Sequence, residues 1–214
     1  MKIAICTPSR DIVHAAFAFD LAQMGAYWMA KNAPSGGNLL FLTSMGTLIA
    51  DQRVNLAKEA LEANADWILW LDTDMRFPMD LLDRLLKHRQ PIVGCNYPTR
   101  VVPPRPTAQI HRNEVWLPVY TDESKDGLEQ VDLLGFGAVL TSTHVFKKLE
   151  SPWFHLVYST VNNEFHGEDA FFCMKAAQAG FPVYIDHDVS KEIRHIGSFE
   201  FRHEHAKITI EEGA

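Results

Sequence analysis

The sequence predicts an α/β fold in which a mixed, mostly parallel central sheet is flanked by helices. Short apolar runs alternate along residues 1–97 with longer segments whose apolar residues recur at helical spacing, the βαβαβαβ order of a doubly wound sheet. The run WILWL at residues 67–71 is unbroken in apolar residues, as expected of a strand covered by helices on both faces. Turn residues, among them Thr7-Pro8 and Pro34-Ser35-Gly36-Gly37, punctuate the alternation.

Taken in order, residues 3–6 form a short buried strand that stops at Thr7-Pro8, and residues 11–30 follow as a helix. NLLFLTS at 38–44 is a second strand. Residues 48–66 set Val54, Ala57 and Leu61 on one face and form a helix of several turns, leading into a third strand, WILWLD, at 67–72. Residues 78–89 are helical, with Pro78 in the first turn and basic residues at the end, as the helix dipole favours. PIVGCNY at 91–97 is a fourth strand. Residues 98–109 carry Pro98, Pro103, Pro104 and Pro106 and form a loop. Residues 114–120 and 128–142, separated by a polar turn, supply strands of an antiparallel or mixed part of the sheet. Residues 143–150 form a short helix, and 167–180 a second one with Gly180 as its C-terminal stop. FPVYID at 181–186 is the last clear strand, and residues 198–214 are a polar tail with no assigned element. A chain of 214 residues with this pattern is expected to be a single domain.

With 47% apolar and 22% charged residues the composition is that of an ordinary soluble globular protein. The formal charge of -7 argues against a nucleic-acid groove, so an anionic ligand would need a metal ion or a few placed arginines. Cys6, Cys95 and Cys173 are odd in number and widely spaced, which signals neither a disulfide framework nor a zinc ribbon, and a reducing cytoplasmic location is expected. The opening apolar run is too short for a signal-peptide core. Residues 17–30 are interrupted by Asp20 and Gln23 and fall short of the roughly 20 apolar residues of a membrane span.

Three groups of residues could carry chemistry. Asp72 and Asp74 end a buried strand, where ligands of open parallel sheets bind, and residues i and i+2 of an extended chain point the same way. Paired carboxylates suit Mg²⁺ or Mn²⁺ shared with a substrate phosphate, although Asp residues also simply start turns and cap helices. Glu168 and Asp169 open a helix after Gly167. They either complement the helix dipole or place a carboxylate to take a proton from a substrate hydroxyl. His195 follows the final strand and is either surface filler, as one of ten histidines, or a donor to a metal–phosphate shell. Trp153 and Phe154 could stack on a sugar face or pack in the core. Arg100, Arg105 and the proline-rich loop border an acceptor or form a solvated rigid segment.

The ordered set LDTDMRFP, LLGFGAVLTSTHVFKKLE, PWFH, HGEDAFFCMKAAQAGFPVYID and RHIG resembles the GT-A-fold glycosyltransferases, especially small family-2-like enzymes of bacteria and their phages. The resemblance covers most of residues 3–197. It implies a GT-A-like fold with a nucleotide-binding half at 1–97 and an acceptor-side half at 98–197. It also implies a metal-dependent hexosyltransferase that moves a sugar from a UDP- or GDP-sugar donor to a hydroxyl acceptor such as a carbohydrate, with Mn²⁺ or Mg²⁺ as cofactor. On this resemblance Asp74 binds the metal, Asp72 the metal or the ribose with Thr73 beside it, and His195 the metal or diphosphate. Asp169 is the base of an inverting reaction and Glu168 an acceptor-hydroxyl contact. Thr7, Pro8, Ser9 and Arg10 hold the base and ribose, Arg53 contacts base or phosphate, and Asn55 is a weaker contact. Two alternatives stand beside it: a nucleotidyltransferase, and a catalytically silent nucleotide- or carbohydrate-binding module of the same fold.

Overall fold

The computed structural model describes residues 1–101, 103–160 and 163–197, so the tail at 198–214 lies outside the described residues. The apolar runs of the first half become strands β1 (Lys2–Ser9), β2 (Asn38–Met45) and β3 (Trp67–Leu71), followed by β4 (Met75–Arg76) and β5 (Ile92–Gly94). Between them lie helices α1 (Ala15–Asn32), α2 (Ile49–Glu62) and α3 (Leu81–Leu86). The second half contributes β6 (Gln109–Arg112), β7 (Val115–Pro118), β8 (Leu128–Val131), β9 (Ala138–Ser142) and α4 (Thr143–Lys148). It continues with β10 (Val157–Ser159), β11 (Glu164–His166), α5 (Glu168–Gln178), β12 (Val183–Asp186), α6 (His187–Ser190) and β13 (Arg194–His195).

Among the described residues the main sheet has seven strands in the order β2-β1-β3-β9-β5-β12-β8. β1 pairs in parallel with β2 and β3, and β12 with β5, whereas β9 runs antiparallel to both of its neighbours and β8 antiparallel to β12. The sheet is thus mixed. The third and fourth strands of the expected parallel run are not neighbours, because β9 lies between them. Successive residues of each strand point to opposite faces, and both faces are buried. Ala4, Cys6, Ile68, Trp70 and Val139 join one core cluster with Leu56 of α2, Val145 of α4 and Phe172 of α5. Ile3, Ile5, Leu69, Leu71 and Leu140 join the other with Phe17 and Trp28 of α1 and Leu81 of α3. This two-sided burial is why WILWL carries no polar alternation.

Several sequence expectations are corrected. Helix α1 begins at Ala15 rather than 11, because the preceding segment is drawn to the end of β3, where His14 N donates to Thr73 O at 3.4 Å. Pro78 precedes α3 in a turn closed by Leu81 N on Pro78 O at 3.1 Å, and the helix yields to a turn in which Arg89 adopts a φ of 54°. β6 and β7 form a separate two-stranded ribbon with an exposed outer strand instead of extending the sheet. Residues 128–142 split into β8 and β9. At the break, Gly135 and Gly137 press against Tyr97, leaving no room for a Cβ at either position. The Gly180 stop is present, at φ 82°.

Trp153 and Phe154 belong to the core rather than to a sugar platform. Phe154 packs edge-on to Trp70 at 5.3 Å and stacks on Phe172 at 4.9 Å. Trp153 Nε1 donates to the carbonyls of Phe146 and Leu149 at 3.1 and 3.0 Å. All three cysteines are free and buried, and among the described residues no helix is long and apolar enough to cross a membrane.

At Gly94, in the middle of the sheet, a Cβ would lie 2.8 Å from the Ala138 carbonyl oxygen, the Leu134 side chain and the Val139 side chain. Overpacking against backbone cannot be relieved by a rotamer change. Gly94→Ala is expected to lower stability by about 1–3 kcal/mol, read as a fall in the urea midpoint at unchanged slope.

Candidate functional site

The end of β3 is built into the site by backbone bonds on each side. Asp72 N donates to Gly137 O at 3.1 Å, and Met75 N closes a turn on Asp72 O at 3.1 Å, so Asp72-Thr73-Asp74 leaves the sheet as a fixed bend. Met75 and Arg76 then pair with His195 and Arg194 in the short β4–β13 ladder, and Ile196 N donates to Asp74 O at 2.8 Å. This ladder carries a histidine from the far end of the chain to the strand-end aspartates.

The structure sorts the sequence-derived residues into two adjoining clusters. In the first, Arg53 is buried on the inner face of α2. It donates from Nη2 to both carboxylate oxygens of Asp72, at 2.9 and 3.2 Å, and from Nη1 to Glu168 Oε1 at 2.8 Å. Its guanidinium lies over the Phe136 ring at 5.3 Å, and its Nε has no partner among the described residues. Burial raises the Asp72 carboxyl, with Arg53 pulling the other way, and burial likewise raises Glu168. Burial would depress Arg53, but the charges of Asp72 and Glu168 prevail and hold it above its ordinary value. Asp169, next along α5, is half-buried, accepts from Ala170 N at 2.7 Å, and lies near enough for its charge to act on Arg53 and Asp72. Asn55, two residues from Arg53 on α2, faces outward and is exposed.

In the second cluster, His195 Nε2 lies 3.4 Å and Arg100 Nη1 2.8 Å from the same oxygen of Asp74, Oδ2. His195 Nδ1 is 2.9 Å from the Pro98 carbonyl, which can only accept, so Nδ1 carries the proton and Nε2 is the nitrogen turned toward Asp74. Burial would raise Asp74, but the hydrogen bond from His195 and the charges of His195 and Arg100 outweigh it and depress the carboxyl. His195 is raised, chiefly by its bond to Asp74. The ring edge of Tyr97 meets the imidazole at 5.2 Å, and Gly137 N donates to its hydroxyl at 2.9 Å.

A cleft of about 230 Å³ opens between these clusters and the ends of β1 and β2, lined by Ser9, Arg10, Thr47, Gln52, Asp72 and Arg100 among others, with Pro8, Thr73 and Asp74 also on its wall. A second cavity, of about 350 Å³, continues past Arg10, Thr73, Asp74 and Arg100 to Val13 and His14. Thr7 points elsewhere, into an apolar cavity with Phe17 and Phe41. A larger cavity there has no polar group convergent with the aspartates, so the smaller, polar cleft is the candidate site. Gln52, Thr47 and Tyr97 were not found by sequence reading. Gln52 and Thr47 sit at the β2–α2 junction, and only the parallel pairing of β1 with β2 makes that junction part of the cleft.

As to a metal, Asp74 and His195 fit as two donors. An imidazole whose other ring nitrogen is anchored on a backbone carbonyl is the usual arrangement of a histidine ligand. Asp72 is committed to Arg53, and among the described residues no group of three or more His, Cys, Asp or Glu side chains is gathered as a metal cluster. Two protein donors suffice for a Mg²⁺-type ion that shares its shell with phosphate oxygens.

No family model matches the chain, and no curated protein matches it. Among solved structures, A197 from STIV, a viral protein, is similar over 96% of this chain and 100% of its own, with 15% identity and a TM-score of 0.53, a likeness of fold alone. A nucleoside-diphosphate-sugar pyrophosphorylase from Vibrio cholerae RC9 superposes over 89% of this chain and 93% of its own at 9% identity, with a TM-score of 0.47, too loosely to bear on function.

Removing Arg53 would leave the Asp72 and Glu168 charges buried without a partner. Arg53→Met is expected to cost on the order of 3 kcal/mol, at the low end for a broken buried pair because Asp72 keeps partial access to water. Glu168→Gln, whose amide oxygen can still accept from Arg53, should cost less than half of that in the same urea titration.

Proposed function

We propose that the protein is a metal-dependent glycosyltransferase that moves a sugar from a nucleoside-diphosphate donor to a hydroxyl acceptor. The observation that carries this reading is the meeting of Asp74 and His195 at the end of β3. Pro98 holds Nδ1 and turns Nε2 toward Asp74, where a cation would take the place of the Nε2 proton, beside a cleft at the carboxyl ends of β1 and β3. Asp74 and His195 would hold Mn²⁺ or Mg²⁺. When bound, the ion supplies positive charge that stabilises the departing diphosphate.

The chain's own residues do the rest. Ser9, Arg10, Thr47 and Gln52 border the space for the nucleoside, with Pro8 and Thr73 on the same wall. Asp169, at the start of α5, accepts the proton of the acceptor hydroxyl as its oxygen bonds to the anomeric carbon. The bond from that carbon to the diphosphate oxygen breaks, and its electron pair leaves on the diphosphate. Glu168 is tied up with Arg53, so in this scheme it orients the helix start while Asp169 takes the proton. A nucleotidyltransferase of this architecture calls for a glycine-rich loop directly after the first strand, whereas β1 does not stop at Thr7-Pro8 but runs on to Ser9, and neither Thr7-Pro8-Ser9 nor Arg10-Asp11-Ile12-Val13 after it contains a glycine. A silent binding module would bind nucleotide without turnover.

Titration with UDP and GDP, each with and without Mn²⁺, is expected to show diphosphate binding that strengthens with the metal, and Asp74→Ala should abolish the metal-dependent part. No binding under any of these conditions would refute the reading. With an acceptor in hand, Asp169→Ala is expected to lower kcat by about 10²- to 10⁴-fold with little change in donor affinity. Full retained transfer would remove Asp169 from the mechanism.

A further inference from the structure

The site of a protein with a formal charge of -7 must bind phosphate with few cations, and two arginines line both polar cavities: Arg10 and Arg100. They differ in state. Arg10 is exposed and forms no ion pair among the described residues. Arg100 lies within 2.8 Å of Asp74 Oδ2, the oxygen that also faces His195 Nε2. A cation therefore already stands on the carboxylate that, on the proposed function, a metal would take.

The loop bearing Arg100 is pinned at its base. Pro98 bridges Pro106, Thr99 N donates to Arg105 O at 2.8 Å, and Arg105 N donates to Thr99 Oγ1 at 3.0 Å. The Arg100 side chain is half exposed and passes beside Gly197, where a Cβ would be in ordinary contact at 3.5 Å. Its guanidinium is thus free to swing while its backbone stays put. A guanidinium is always charged and forms paired hydrogen bonds to carboxylate or phosphate alike. Two cations would compete for one carboxylate oxygen, so a divalent ion on Asp74 would displace Arg100 toward a phosphate held in the same cleft.

We propose that Arg100 is an exchangeable counter-cation: it holds Asp74 when no divalent ion is bound, and it moves onto the ligand's phosphates when one takes Asp74, with Arg10 meeting those phosphates in the same cleft. This rests on the proposed function only in the identity of the anion, a diphosphate. It makes Arg100 an opponent of the metal and an ally of the phosphate, two effects of opposite sign that general damage to the site would not produce.

The test uses the full chain and two simple probes, Mn²⁺ alone and inorganic pyrophosphate at saturating Mn²⁺. Arg100→Gln is expected to bind Mn²⁺ about two- to fivefold more tightly, the scale of losing a partly exposed ion pair as competitor, and pyrophosphate more weakly by a similar factor. Arg10→Gln should weaken pyrophosphate alone. Arg100→Lys, which keeps the charge, should leave Mn²⁺ affinity near that of the wild type, and circular dichroism of each variant checks the fold. Unchanged or weakened Mn²⁺ binding in Arg100→Gln overturns the proposal, as does a wild type that binds neither probe. Opposite-signed effects in a protein with no affinity for UDP or GDP would keep the exchange and discard the nucleotide-sugar reading.

Discussion

One buried guanidinium governs how the two halves of this protein meet. Arg53 reaches from α2 to Asp72 at the end of β3 and to Glu168 at the start of α5, partners that lie 19 and 115 residues away in sequence. Without it, three carboxylates, Asp72, Glu168 and Asp169, would stand together without a counter-charge, with burial already disfavouring the charge of Asp72 and Glu168. With it, two of the three are tied into fixed positions and the third is left at the helix start with its side chain turned back on Ala170 N. Buried ion pairs of this kind add little net stability, because desolvation offsets attraction. Their value here is geometric, since the bridge sets the distance between a strand end and a helix start that no backbone bond connects.

The second cluster is assembled by a different device. Two-residue strands β4 and β13 are too short to be stable alone, yet their pairing brings His195 to Asp74, and the carbonyl of Pro98 then sets which imidazole nitrogen faces the carboxylate. Three separate segments converge on one oxygen of Asp74: the strand bend, the proline-rich loop and the last ladder. A polar cleft between ordered elements follows from this convergence, and its neighbours at the β2–α2 junction come from the register of β1 with β2.

Much of this was legible in the sequence, and the illegible part has a common cause. β1, β2, β3, α2 and α5 lie close to where periodicity placed them, because each buries a stripe or two faces that leave a pattern of their own. Asp72, Asp74, Glu168, Asp169 and His195 stood out as polar residues at the ends of such patterns. Arg53 was noticed, but nothing local told that it would be buried with two carboxylates, since a charged residue on an amphipathic helix ordinarily faces water. The β4–β13 ladder is shorter than any detectable period, and the hairpin of β10 with β11 spans three residues on each side. Position in the sheet was the largest gap. The residues of β9 read plainly as a strand, whereas its place between β3 and β5 is a long-range choice that leaves no mark on its own composition.

That place dictates an order of events as the chain leaves the ribosome. β3 emerges with one side paired to β1 and the other open, and β5 with both sides open, until residues 138–142 arrive, because the strand that fills the gap runs against both of them. Until then WILWL presents an apolar, hydrogen-bonding rim with nothing beside it, the kind of nascent edge that attracts other chains. Insertion of β9 between strands made before it, rather than growth at a margin, makes it the keystone of the sheet, and pairings this distant in sequence form slowly.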